Sequence, residues 1–169
     1  MALAVDRIVP ERDLRDTSYP VAANAKIYVG SLVFLSATGF AQPATTAAGL
    51  IVAGVSRAQV DNTGGADGAL NVTVRRACHK FVNGDAIAEG DLGKMAYAVD
   101  DQTVSKGAAG KSPVGVIVQL EADGVWVAIH PRIVAAAAAP DTNGATLANL
   151  EIEVNKVKAA ARAAGILTA

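Results

Sequence analysis

Between Ala25 and Val134 the chain moves from short β-branched runs to turn residues and back every few positions, a rhythm that leaves room for strands and little for helices. The apolar runs predict strands near 27–29, 32–35, 51–60, 70–81, 94–98, 114–120 and 125–130. Leu70, Val72 and Val74 alternate with Asn71, Thr73 and Arg75, so that strand has one buried and one wet face. The phase slips at Arg76, because Ala77 and Phe81 continue on the other parity, and a β-bulge near Arg75 and Arg76 is expected there. Near the end of this zone, two runs apolar on both faces flank Ala122-Asp123-Gly124, which reads as a hairpin with Gly124 supplying a positive φ. Such a hairpin lies centrally in the fold or beneath another subunit. Hydrophobic residues make up 51% of the chain but aromatics only 4%, so the core is built from small and β-branched side chains, which favours closely packed strands over a roomy pocket. The fold class expected is mainly β, a small barrel or sandwich at 25–134.

The two ends read differently from this body. Residues 1–24 are irregular, with charges crowded into 11–16, and Val5, Ile8, Val9 and Leu14 need a surface to pack on. This arm lies on its own domain or reaches a neighbour. Residues 135–145 form a linker of alanines followed by Pro140, Asp141, Asn143 and Gly144. Beyond it, Leu147, Leu150, Val154, Val157, Ala161 and Ala164 keep an unbroken 3, 4, 3, 4, 3 spacing, a heptad seam on an α-helix over 146–165. Thr146 or Asn143 caps its start and Gly165 stops it. With Leu147 at position a, Glu153 at g faces Lys158 at e of a parallel neighbour, an exposed pair worth about 0–1 kcal/mol. Each buried leucine or valine adds up to about 1.5–3 kcal/mol. The seam is short and Ile152 falls outside it, so either the helices join copies already held by their β domains or the helix packs on its own domain or on another protein.

Composition narrows the partners. Lys+Arg 15 against Asp+Glu 16 gives a formal charge of -1, no electrostatic footprint for nucleic acid or an anionic membrane. The single cysteine, Cys78, excludes an internal disulfide, and the N-terminus lacks a signal-peptide pattern, which together point to a soluble protein made in a reducing cytoplasm.

Catalytic and ligand-binding patterns are incomplete. Gly107-Ala108-Ala109-Gly110-Lys111-Ser112 resembles a P-loop, but Ser105 stands where its first glycine belongs and Pro113 follows. Asp61-Asn62-Thr63-Gly64-Gly65-Ala66-Asp67-Gly68 has the oxygen-rich look of a calcium loop without the closing Glu, and reads as a hairpin loop. Cys78 and His79 are strand neighbours that point to opposite faces, a buried thiol beside a half-exposed imidazole rather than a dyad, and His130 stands apart from them in another expected strand. Asp100 and Asp101 open a turn before Gln102-Thr103-Val104. The expectation is no enzyme, no cofactor and no metal.

The stretches 19–30, 60–66 and 99–104 and the run Gly124-Val125-Trp126-Val127 resemble the head decoration, or capsid cement, proteins of tailed phages, the group of the trimeric lambda head decoration protein. The resemblance covers roughly 19–132 and rests on structural turns. It implies a β-tulip fold, a homotrimer standing over the three-fold and quasi-three-fold points of the capsid exterior, and the major capsid protein as partner. It also implies that Val5, Ile8, Val9 and Leu14 of the arm face the shell. The helix departs from a minimal cement protein and is similar to the stem of head fibre proteins, so a fibre base remains an alternative. Two further readings are a tail or baseplate adaptor and a ligand-binding module using the 61–68 or 100–111 loops.

Overall fold

The computed structural model describes residues 15–130, together with Asn155, Lys156 and Ala159. The chain divides into two units, Met1–Arg132 and Ile133–Ala169. The first is mainly β. Its strands are β1 (Asp16–Pro20), β2 (Lys26–Ile27), β3 (Leu32–Leu35), β4 (Ala41–Pro43), β5 (Ile51–Ser56), β6 (Val60–Asp61), β7 (Asn71–Arg75), β8 (Cys78–Asn83), β9 (Met95–Ala98), β10 (Thr103–Ser105), β11 (Pro113–Glu121) and β12 (Gly124–Ala128). A single 3-10 turn, Glu89–Asp91, lies between β8 and β9.

The strands sort by position in the chain. The first seven make a five-stranded sheet in the order β1-β7-β5-β3-β4 and a two-stranded ribbon of β2 and β6, and the last five close into a barrel, β10-β8-β12-β11-β9. Only the β10–β8 contact in that barrel is parallel. The five-stranded sheet curls: just past β1, Val21 forms a parallel bridge to Ala41 of β4 at the opposite edge, and the Ala22 N–H donates to the Ala41 carbonyl at 2.9 Å.

Each half has its own core. Val21, Ile27, Val33, Ala41, Ala53, Val72 and Val74 are fully buried in one cluster on the inner side of the curled sheet. Leu32, Phe34, Val52 and Val55 project from the other side of that sheet into a second cluster, where they meet Phe81, Ala96, Ala98, Val104, Ile117, Val125 and Val127 of the barrel. At β3 and β5 the sheet is therefore buried on both faces, and those strands are apolar at consecutive positions for that reason, whereas β7 keeps one buried and one exposed face. Gly54, with φ 143, absorbs the register shift that lets both faces of β5 stay filled.

Several expectations change. The long strand over 70–81 is two strands, and its parity slip is no bulge: the chain leaves the sheet at Arg75 and enters the barrel at Cys78. Asp16–Pro20, inside the irregular arm expected at 1–24, is an edge strand paired antiparallel with β7 from Asp16↔Arg75 to Pro20↔Asn71. Tyr19, packed against the inner core, and the Arg75–Asp16 ion pair hold it there. The β-domain thus begins before Ala25. The strand expected over 51–60 is also two, β5 ending at Ser56 and β6 beginning at Val60, and strands β4 and β10 are too short to show an alternating pattern and were not expected. Of the C-terminal segment only Asn155, Lys156 and Ala159 are described, each helical in conformation, so the helix expected over 146–165 and its seam lie outside the described residues.

The β11–β12 hairpin is in place, Glu121 pairing with Gly124 around Ala122 and Asp123, and it forms part of the barrel wall. Gly124 is not among the positive-φ glycines. Its glycine serves a close approach instead: a Cβ there would lie 2.7 Å from the Phe81 carbonyl oxygen of β8. Gly124→Ala should therefore destabilise the fold by about 1–3 kcal/mol in chemical denaturation. Gly90→Ala, where a Cβ meets nothing within 4 Å, should change stability far less, and equal effects would contradict the account.

Candidate functional surface

The oxygen-rich loop at 61–68 spends its polar groups on its own closure. Asn62 is buried, and its side-chain amide donates to the carbonyls of Ala22 and Ala66, both at 2.9 Å. The Asp61 carboxylate accepts from the Thr63 N–H and hydroxyl and pairs with Lys26 at 2.8 Å. The Lys26 ammonium, and after it Thr63, hold Asp61 down to about 2. Asp67 accepts from the Ala23 N–H at 2.7 Å, and Asn24, with φ 58, accepts from the Gly64 N–H at 2.9 Å. These atoms tie the loop to the segment after β1. A cation would have to displace those contacts one by one.

The second loop region behaves likewise. Asp100 accepts from the N–H groups of Gln102 and Thr103, the ordinary closure of a turn by Asp. Asp101 accepts from the Ser31 hydroxyl at 2.8 Å, and its carbonyl takes the Leu32 N–H at 2.7 Å, so this carboxylate fastens the barrel's β9–β10 turn to the sheet. In the P-loop-like run, Ser112 is fully buried; its hydroxyl donates to Ala47 O and accepts from the Leu50 N–H. Lys111 reaches back to the Gly107 carbonyl at 3.3 Å, and strand β11, not a helix, follows. The loop clips 47–50 to the barrel, and Ser112 is a structural hydroxyl.

The two histidines also stand apart from any cluster. His79 is half-buried, its Nε2 donating to the Arg75 carbonyl at 3.3 Å, and burial lowers its pKa from the usual imidazole value. His130 is exposed. Cys78, expected to be buried, is exposed on the outside of the barrel. Among the described residues no three His, Cys, Asp or Glu side chains gather into a group able to hold a metal ion.

One charged centre was not foreseen. Lys80 of β8 binds Asp123 at 2.8 Å and Glu121 at 3.1 Å and lies 5.9 Å from the Trp126 ring centre. Those carboxylates, Asp123 first, raise its pKa. Their cross-strand placement could be found only from the register, since β8 and the β11–β12 turn are far apart in sequence. Large apolar side chains are also exposed, among them Tyr28 and Val29 at the turn after β2, Leu92 after the 3-10 turn, Met95 on β9, Val118 on β11 and Val82 on β8. The residues expected to face the shell, Val5, Ile8, Val9 and Leu14, and the six seam residues from Leu147 to Ala164 lie outside the described residues.

No protein-family model, no curated protein and no solved structure matches this chain.

Asn62→Ala should cost about 1–3 kcal/mol in denaturant unfolding, because two carbonyls lose a buried donor. Millimolar calcium should leave the wild-type midpoint unchanged, and a calcium-dependent rise would restore the loop as a metal site.

Proposed function

We propose that this chain is a structural virion protein that decorates and stabilises a tailed-phage icosahedral capsid. It acts as a homotrimer at three-fold and quasi-three-fold positions on the capsid exterior, with a β-tulip-like body, an arm that contacts the major capsid protein and a helical seam that joins the copies. It is made in the host cytoplasm, binds neither nucleic acid nor membrane, needs no cofactor and catalyses no reaction. The resemblance across 19–132 supports this reading. The observation that carries it is where the polar groups go: Asn62, Asp100, Asp101 and Ser112 are all committed to tying the chain to itself, while apolar side chains stand on the outer surface. A surface of that kind serves contact with other proteins.

The position of β1 sets how the arm is tested. Asp16–Pro20 and the buried Val21 belong to the folded body, so a truncation meant to remove only the arm must end at Leu14. Sedimentation at micromolar concentration should give a species of three times the 17.1 kDa chain. The protein should co-sediment with expanded shells of its phage and raise the temperature at which they break. Deletion of residues 1–14 should abolish shell binding and leave the trimer intact. A monomer, or a trimer that ignores expanded shells, would overturn the reading. Binding at a single vertex would assign the chain to a tail adaptor instead.

A further inference from the structure

We propose that the free edge of β1 is a docking site for β1 of a second copy of this chain, which adds antiparallel about a two-fold axis beside Thr17 and joins the two curled sheets. The inference goes beyond the function proposed above and rests on it in one respect only. A three-fold ring contains no two-fold axis, so the paired copies belong to different trimers.

The ladder shows that this edge is open. The five-stranded sheet ends at β1 on one side and at β4 on the other. At β4 the Ala41 carbonyl already takes the Ala22 N–H, and Pro43 has no N–H to offer. β1 differs. Hydrogen bonding alternates along an antiparallel pair. The Val21 N–H donates to the Leu70 carbonyl and the Arg76 N–H to the Arg15 carbonyl, so residues 15, 17, 19 and 21 turn their backbone groups toward β7. Asp16, Ser18 and Pro20 between them turn theirs to the free side, where Asp16 and Ser18 are exposed. An edge of this kind accepts one chemistry, an extended backbone.

The side chains of β1 fit a copy of themselves, in one register. Were Asp16 to face Asp16 of the second copy, two carboxylates would meet directly. Were it to face Pro20, the missing proline N–H would leave the Asp16 carbonyl without a donor. Between these lies the register in which Asp16 faces Ser18. There the Asp16 N–H donates to the Ser18 carbonyl, the Ser18 N–H donates to the Asp16 carbonyl, and the two-fold axis repeats both bonds. The Asp16 carboxylate meets a serine hydroxyl, and Pro20 lies beyond the shared residues. Thr17 then faces Thr17 of the second copy at the closer, non-hydrogen-bonded spacing of the ladder. In the single chain the Thr17 hydroxyl is buried and has no hydrogen-bond partner, although the residue as a whole is only partly covered. A threonine across the strand pair supplies that partner. Charge and proline, which ordinarily protect an edge, here exclude the competing registers and leave this one. The contact is smaller than the roughly 800 Å² per partner of an independent interface, so it is weak between free copies and strengthens where copies are held side by side, at effective concentrations of about millimolar.

Disulfide trapping reads the register. With Cys78→Ser removing the native thiol, Thr17→Cys should form linked dimers under mild oxidation at high protein concentration, because the Cα atoms of such a pair lie about 4.5 Å apart. Ser18→Cys in its place, displaced from its own symmetry mate along the ladder, should link at least about tenfold more slowly. Adding Ser18→Pro to the Thr17→Cys chain removes an outward N–H and none that β7 uses, so linking should fall about tenfold or more while circular dichroism and melting temperature report an intact fold. Folded Thr17→Cys protein that does not link overturns the proposal, as does Ser18→Cys linking as fast or Ser18→Pro without effect. Linked chains whose particles remain single trimers also overturn it, since the contact then lies inside the ring. Linked dimers from a wild type that sediments as a monomer would sink the trimer reading and leave the β1 pairing standing.

Discussion

A core made of valine and alanine fills only a narrow space, and the rest of the molecule follows from that width. Barrel diameter grows with strand number, and eight strands already enclose a volume that larger side chains must fill. Here five strands close around Ala96, Ala98, Val104, Val125 and Val127, with Phe81 and Ile117 as the larger fillers. Narrow closure brings backbones together, and Gly124 is required where β12 meets β8. The same shortage of bulk explains why the curled sheet uses both its faces. One face supplies Phe34 and Leu32 to the barrel side, and the other closes over its own valines.

The joint between the halves is a single stretch of backbone with several locks. At Arg76 the guanidinium donates to the Ala53 carbonyl at 3.0 Å and to the Tyr19 hydroxyl at 2.7 Å, while its N–H donates to the Arg15 carbonyl at 2.9 Å. One residue later the Ala77 carbonyl accepts from the Ile129 N–H at 2.9 Å, which extends the β12–β8 pairing up to the crossing. Arg76 thus holds β1, β5 and β7 together from the residue at which the chain changes sheets. Its side chain is a fork with fixed geometry, which suits three-way fastening better than a lysine would.

How much of this was legible in the sequence depended on how far apart the deciding atoms lie. The β class, the hairpin at Ala122 and Asp123 and the turn role of Asp100 were readable because alternation and turn chemistry act within a few residues. The crossing at Arg76 left a visible trace, a parity slip, but a slip alone does not separate a bulge from a change of sheet. That distinction depends on pairing partners distant in sequence, as Asp16 with Arg75 and Cys78 with Ala128. Strand β1 was hidden for a related reason: its charged start reads as solvent-exposed, and only Arg75 across the ladder makes Asp16 a strand residue. Exposure of Cys78 was misjudged because a thiol is most often buried, whereas the closed wall places alternate residues of β8 outside.

The order of strands along the chain also governs how the molecule is made. Every partner needed for the curled sheet and its ribbon precedes Arg76, and every partner needed for the barrel follows it. During synthesis the first half has its complete set of pairings before the second has left the ribosome. Until the barrel arrives, however, Leu32, Phe34, Val52 and Val55 face water with nothing against them. The ribosome's pace through β8–β12 therefore sets how long a growing chain carries a sticky, half-finished surface.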